Sequence, residues 1–203
     1  MLVSIIGTMG IGKSTILDLL DDLDDNRFRL FYEPLPETDN FILEYFYKDP
    51  VKWAFTMQSL MLGLHLDIQK RALEASDQGF ISVMDSSLYC GKAYVDTQYQ
   101  NNIINEIEYK AYERLYSITS SVVRKPDIIF MLDAPFEQIL SRVHNRNRSC
   151  EEGVDESYLM SLHNNYKSLA KEMENSFNVV YIEGAKDKFS VLNDILSIIE
   201  ESE

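Results

Sequence analysis

The sequence predicts an α/β fold: a five-stranded parallel sheet with helices on both faces. Three observations carry that reading. Five short apolar runs, at Leu2–Ile6, Phe28–Tyr32, Phe80–Met84, Ile128–Leu132 and Val179–Ile182, alternate with long helical patterns. The runs are nearly continuously apolar, as strands covered on both faces are. A glycine-rich turn joins the first run directly to the first helical pattern, the usual start of a βα unit.

Each element has a local cause. After Leu2–Ile6 the pattern Ser14–Leu23 reads as a helix. The run Phe28–Tyr32 is ended by Glu33-Pro34-Leu35-Pro36, because a proline pair cannot continue a ladder. Asn40–Lys48 reads as a short helix. Pro50 opens a long one to about Ala75, with Asp49 as its cap. Ser76-Asp77-Gln78-Gly79 is a turn before Phe80–Met84. Helical patterns follow at Tyr89–Thr97 and Asn105–Val123, the second broken by Lys125-Pro126-Asp127. Pro135–Asn145 and Ser157–Ser176 are helices between the fourth and fifth strands, and Lys188–Ile199 closes the pattern.

Composition bounds the function. At 203 residues, 45% apolar and 26% charged, the chain reads as one globular domain over residues 1–203. No apolar run approaches the ~20 residues of a membrane span. Nineteen Lys and Arg against 33 Asp and Glu leave a net charge of −14, which disfavours a nucleic-acid polymer as partner. A small phosphorylated ligand fits if the basic residues are locally concentrated. Cys90 and Cys150 lie in neither CxxC nor a zinc-ligand spacing, so a reducing, cytoplasmic location is expected. No basic segment precedes Leu2–Ile6, which reads as a strand and not as a signal peptide.

Gly7-Thr8-Met9-Gly10-Ile11-Gly12-Lys13-Ser14 fits G-x-x-x-x-G-K-[ST] between a strand and a helix, the context this phosphate loop demands. Its glycines let backbone N–H groups turn inward around phosphate oxygens, at the positive end of a helix. Lys13 is placed for the β- and γ-phosphates, and the Ser14 hydroxyl for Mg²⁺, with Thr15 beside it. The motif implies a nucleoside triphosphate such as ATP and leaves the acceptor open. It makes the expected fold P-loop NTPase-like, of the nucleotide-kinase kind.

Ligands of open parallel sheets sit beyond the carboxyl ends of the strands. Glu33, Asp85 and Asp133 follow strands there. Each is a candidate proton acceptor or Mg²⁺ ligand, or else a turn or capping acid. Arg142, Arg146 and Arg148 cluster after the fourth strand. Arg142 and Arg146 share a helix face, and arginine forks suit phosphoryl oxygens. The plain alternative is a solvated basic face.

Taken together, these residues resemble the deoxyribonucleoside kinase family, which holds deoxycytidine, deoxyguanosine, deoxyadenosine and insect multisubstrate kinases. The resemblance spans nearly the whole chain. It rests on the phosphate loop, Tyr32-Glu33-Pro34, and Tyr47-Lys48-Asp49-Pro50-Val51-Lys52-Trp53-Ala54 leading to Gln58-Ser59. It continues through Asp85-Ser86-Ser87, then Arg146-Asn147-Arg148, Glu151, Tyr158-Leu159 and Tyr166.

The resemblance implies transfer of the γ-phosphoryl of ATP, or another nucleoside triphosphate, to the 5′-hydroxyl of a deoxynucleoside. It makes Glu33 the base, Lys13 and Arg148 catalytic cations, and Asp85 a catalytic acid in the Mg²⁺ and phosphate network. Family schemes could equally call Asp85 the base. Tyr47 and Glu151 match the pair on the sugar 3′-hydroxyl, and Gln58 the amide on the base edge. Arg142, Arg146 and Arg148 match an Arg-rich lid over the phosphates, at about 144–154. His65 and Gly91 fall at positions that tune base choice in relatives. A homodimer is implied, with the Val51–Ala75 and Asn105–Val123 helices pairing across a two-fold.

The family's motif arginine is Ser86 here, and Lys92 is the nearest cation in sequence that can replace it. Two other readings follow. A nucleoside monophosphate kinase of the thymidylate type would share the loop and lid, but no arginine follows Glu33-Pro34 before Arg71. A nucleotide-binding homologue of weak activity acting in an assembly is the second, and Ser86 favours it.

Overall fold

The computed structural model describes residues 1–33, 41–146 and 155–202, with Phe41 and Arg146 described by their backbone alone. Five parallel strands form one sheet: β1 (Leu2–Ile6), β2 (Phe28–Phe31), β3 (Ile81–Asp85), β4 (Ile128–Asp133) and β5 (Val179–Glu183). Their spatial order is β2-β3-β1-β4-β5. The expected α/β sheet is therefore present, with β1 in the centre. The chain turns to one side of β1 for β2 and β3, then crosses to the other side for β4 and β5. That reversal opens a crevice at the carboxyl end of β1, where ligands of such sheets bind.

The helices are α1 (Lys13–Asp22), α2 (Phe41–Lys48), α3 (Pro50–Asp77), α4 (Gly91–Gln100), α5 (Glu106–Ser120), α6 (Phe136–Arg146), α7 (Glu156–Met173) and α8 (Lys188–Glu201). The helix expected over Tyr89–Thr97 is in fact a 3₁₀ turn, Leu88–Cys90, running into α4. The strand expected to begin at Phe80 begins at Ile81 and includes Asp85, which puts that acid at the strand's own end.

Strand alternation sorts the two cores. Ile128, Phe130 and Leu132 of β4 face a cluster with Val3, Ile5, Leu17, Ile139 and Ile195. Ile129 and Met131 face the other side, with Ala54, Leu62, Leu162 and Tyr166. A buried Leu side chain contributes roughly 1.5–3 kcal/mol, so both faces hold the sheet firmly.

Helix starts are capped as the sequence suggests. Asp49 accepts from the Lys52 N–H with Pro50 in the first turn. Asp155 caps α7 and Asp187 caps α8 in the same way. Asn105 and Glu108 form a reciprocal capping box at α5. Replacing Asn105 by Ala should lower stability by ~1 kcal/mol, measured as a shift of the urea midpoint with unchanged slope.

Candidate active site

The phosphate loop needs backbone that ordinary residues avoid. Gly7, Gly10 and Gly12 have φ of 143°, 80° and 111°. A Cβ on Gly7 would lie 2.8 Å from the Leu132 carbonyl oxygen, and one on Gly10 2.5 Å from Val143 Cγ2. The loop is thus pressed onto β4 and α6, and side chains at these glycines would push it out of shape. Lys13 opens α1 and is only 8% exposed. Its ammonium donates to the Gly7 carbonyl at 3.2 Å and stands 3.9 Å from Asp85 Oδ1. The Ser14 hydroxyl donates to Asp85 Oδ2 at 2.6 Å.

Asp85 arrives there by register. Ile5 of β1 pairs with Asp85 of β3, so the acid stands beside the point where β1 enters the loop. Its Oδ1 is buried with no hydrogen-bond partner among the described residues. An orphaned carboxylate oxygen beside a serine hydroxyl is a hard-oxygen donor set, and it fits Mg²⁺. Among the described residues no group of three or more His, Cys, Asp or Glu forms a further metal cluster.

A cavity of about 1000 Å³ opens over the loop. Residues 9–15 form one wall, and Glu33, Tyr47, Gln58, Asp85 and Arg142 line the same space. The structure therefore brings together the expected acid after β2, the expected sugar and base residues of α2 and α3, and the loop. Arg148 and Glu151 lie outside the described residues, as does most of the expected lid, and the side chain of Arg146 is likewise not described. Arg142 is engaged as a tie: its guanidinium donates to the carbonyls of Ile11 and Gly184, each at 3.0 Å. It holds the loop against the turn after β5.

Two open candidates have partners away from the cavity. Asp133 lies outside the cavity wall; it is the last residue of β4, pairing with Glu183 of β5, and its carboxylate meets Lys167 at 3.1 Å. Lys92 does not fill the place of the missing arginine. Its ammonium is 3.3 Å from Asp96, one turn further along α4, while Gly91 and Tyr94 line the cavity. Ser86 itself is buried and holds a left-handed φ of 70°, with its N–H donated to the Ile5 carbonyl at 2.9 Å. A serine in that conformation carries strain of order 1–3 kcal/mol, which the surrounding strands hold in place.

Further residues complete the lining of the cavity. Lys186 and Lys188 bring positive charge from the turn after β5, and Tyr94 brings an aromatic wall. Burial, with Glu33 nearby, holds the Tyr94 phenol well above its usual range, so it stays protonated. On α3, Gln58, Met61 and His65 recur at helical spacing and all reach the cavity. That spacing was visible, but it reads equally well as a core stripe. Burial pushes the His65 imidazole down to about 4, so the ring is neutral. Its Nε2 is buried with no partner among the described residues.

A phosphate loop at the centre of this sheet, with acids at the neighbouring strand ends, defines a nucleotide-kinase fold. Comparison with known proteins makes the assignment specific: the family model for deoxynucleoside kinase matches residues 3–202. The chain belongs to the deoxynucleoside kinase family, whose enzymes phosphorylate deoxyribonucleosides. A deoxyadenosine/deoxycytidine kinase of Bacillus subtilis is 30% identical over 172 residues, 82% of this chain and 75% of its own. A deoxyadenosine kinase of Dictyostelium discoideum is 28% identical, over 89% of this chain and 71% of its own. Among solved structures, M. mycoides deoxyadenosine kinase with the products dCMP and dCDP superimposes with a TM-score of 0.84. It is 27% identical, covering 99% of this chain and 100% of that one. Membership displaces the nucleoside monophosphate kinase reading. Among the described residues no helix is long and apolar enough to cross a membrane.

His65→Leu should be at least as stable as the native enzyme, because it removes a buried unpaired nitrogen. It should raise the deoxynucleoside KM about tenfold with a smaller change in kcat, by steady-state kinetics. The depressed pKa also has a sign. The unfolded chain binds a proton at His65 near pH 6.5 and the folded chain only near 4, so native stability falls as pH drops through that window. Thermal unfolding between pH 7 and 4 should show less of this loss in His65→Leu.

Proposed function

We propose that this deoxynucleoside kinase moves the γ-phosphoryl of ATP, or another nucleoside triphosphate, to the 5′-hydroxyl of a deoxynucleoside. The observation that carries the reading is convergence: Lys13, Ser14 and Asp85 share one cavity with Glu33, Tyr47 and Gln58. Donor phosphates take the loop N–H groups and Lys13. Glu33 lines the cavity after β2 and takes the proton of the attacking hydroxyl. Tyr47 anchors the sugar and Gln58 the base edge, where an amide offers one donor and one acceptor face. Ser14 and Asp85 hold Mg²⁺, which supplies charge neutralisation on the phosphoryl oxygens when bound. Arg146, Arg148 and Glu151 complete the reading, as parts of an Arg-rich lid at about 144–154 and of the sugar contact.

The acceptor range is read as deoxyadenosine and deoxycytidine. Solved structures of the M. mycoides relative hold dATP and dCMP, and the Bacillus subtilis relative is named for both nucleosides. Gln58 with His65 offers polar edges that suit either base. A homodimer is supported by exposed Ile107, Leu115 and Ile118 on one face of α5, continued by Val122. A cytoplasmic location is consistent with the buried free thiol of Cys90.

Glu33→Gln keeps the shape and removes the base. Its kcat should fall by ~10²-fold or more with deoxynucleoside affinity largely kept, measured against the four deoxynucleosides and dTMP. Near-native turnover in this variant excludes Glu33 as base, and equal rates on dTMP exclude the acceptor assignment.

A further inference from the structure

One cluster, buried at Thr8 and His163 and reaching the surface at Lys167, plays no part in the mechanism above. Thr8 Oγ1 lies 3.1 Å from His163 Nδ1, across 155 residues of sequence. On the other side of the ring, His163 Nε2 stands 3.6 Å from Asp133 Oδ1. Asp133 Oδ2 meets Lys167 at 3.1 Å, and Oδ1 is buried with no hydrogen-bond partner among the described residues. A hydroxyl, an imidazole and a carboxylate in line have the order of a nucleophile triad. Thr8 cannot act as one, since it is 1% exposed and the cavity wall begins at Met9.

The Asp133 carboxylate biases the ring's tautomer. Facing a carboxylate oxygen at 3.6 Å, Nε2 is better protonated than left as a lone pair. Nδ1 is then an acceptor, and the Thr8 hydroxyl donates to it. Thr8 is also the hinge of the loop. Its carbonyl accepts from the Ile11 N–H at 3.2 Å, and the preceding carbonyl, of Gly7, holds Lys13. His163, Thr8, Gly7 and Lys13 are therefore linked in sequence by contacts of 3.1 and 3.2 Å and one peptide unit.

We propose that His163 is a positioning residue for phosphoryl transfer: its neutral ring, turned by Asp133, accepts the Thr8 hydroxyl and so fixes the Gly7 carbonyl that holds Lys13. The proposal rests on the reading that the loop and Lys13 hold the donor. Protonation of the ring turns Nδ1 into a donor. The Thr8 hydroxyl must then accept, and its own proton is left without a partner in a buried site. Burial already holds the imidazole below its ordinary value, with Asp133 opposing and Lys167 assisting. The charged groups that act on the ring are Asp133 from β4 and Lys167 from its own helix. From α6 comes the Phe136 ring, at 6.2 Å, and on α4 Lys92 and Asp96 are paired with each other. Donor binding should therefore weaken as pH falls.

The test uses Thr8→Val, His163→Leu and His163→Asn, with Lys13→Ala as reference, each checked for native fold by circular dichroism. The first two should raise the ATP KM about tenfold, the scale of one lost buried hydrogen bond, and leave the deoxynucleoside KM within about twofold. His163→Asn keeps an acceptor near the Nδ1 position and should restore most of the donor affinity. Because asparagine does not titrate, the native enzyme's kcat/KM for ATP should fall relative to His163→Asn as pH drops below the ordinary imidazole range. An unchanged ATP KM in Thr8→Val and His163→Leu overturns the proposal. So does an equal rise in both KM values without rescue by asparagine, which marks the cluster as packing only. If Lys13→Ala also leaves the ATP KM unchanged, the donor reading itself has failed, and the two failures are thereby told apart.

Discussion

A lysine ammonium buried at the end of the central strand is the constraint on which the rest depends. An unpaired buried cation is costly by several kcal/mol, so the fold must supply partners around Lys13. It does so with two groups of different origin. The Gly7 carbonyl comes from the loop itself, and only because that loop adopts backbone that glycine tolerates. The Asp85 carboxylate comes from another strand, through the pairing of Ile5 with Asp85. A one-residue slip of β3 against β1 would carry Asp85 to the other face of the sheet and leave Lys13 without it. Sheet register and site chemistry are the same constraint seen at two scales.

Charge follows the same logic. The chain as a whole is strongly acidic, at −14, yet Lys13, Arg142, Lys186 and Lys188 gather at one cavity. A cleft of positive side chains in a negative surface concentrates a phosphate-bearing ligand where it is needed. Glu33 and Asp18 line the same cavity and add negative charge to it.

How much of this was legible follows from sequence distance. The phosphate loop could be read directly, since its geometry is set within eight consecutive residues and by glycines whose φ no other residue adopts cheaply. Five strands were legible because parallel strands are apolar throughout, although the start of β3 and the 3₁₀ turn before α4 were not. Glu33 was a candidate from its place after a strand, whereas Tyr47 and Gln58 became candidates through resemblance alone; a lone glutamine on a helix carries no such signal. Asp133 follows a strand and was open to a site or a turn reading; its carboxylate meets Lys167 of α7. Lys92 looked like a spare cation until the i,i+4 carboxylate of Asp96 was seen to hold it. Thr8 with His163 was beyond any local pattern, because nothing in either segment names the other.

The central place of β1 has a consequence in time. The strand that carries the phosphate loop is made well before its ladder partners. Leu2 pairs with Ser82 of β3, and Val3 with Ile128 of β4. At ~5–20 residues per second, ribosomal synthesis leaves β1 without its second neighbour for roughly 6–25 s. Throughout that interval an apolar segment with unpaired edges is in contact with the cellular milieu. The nascent chain is exposed to aggregation for longer than a protein whose strands pair with their immediate successors. The topology that puts the phosphate loop at the central crevice also leaves its strand waiting longest for its neighbours during synthesis.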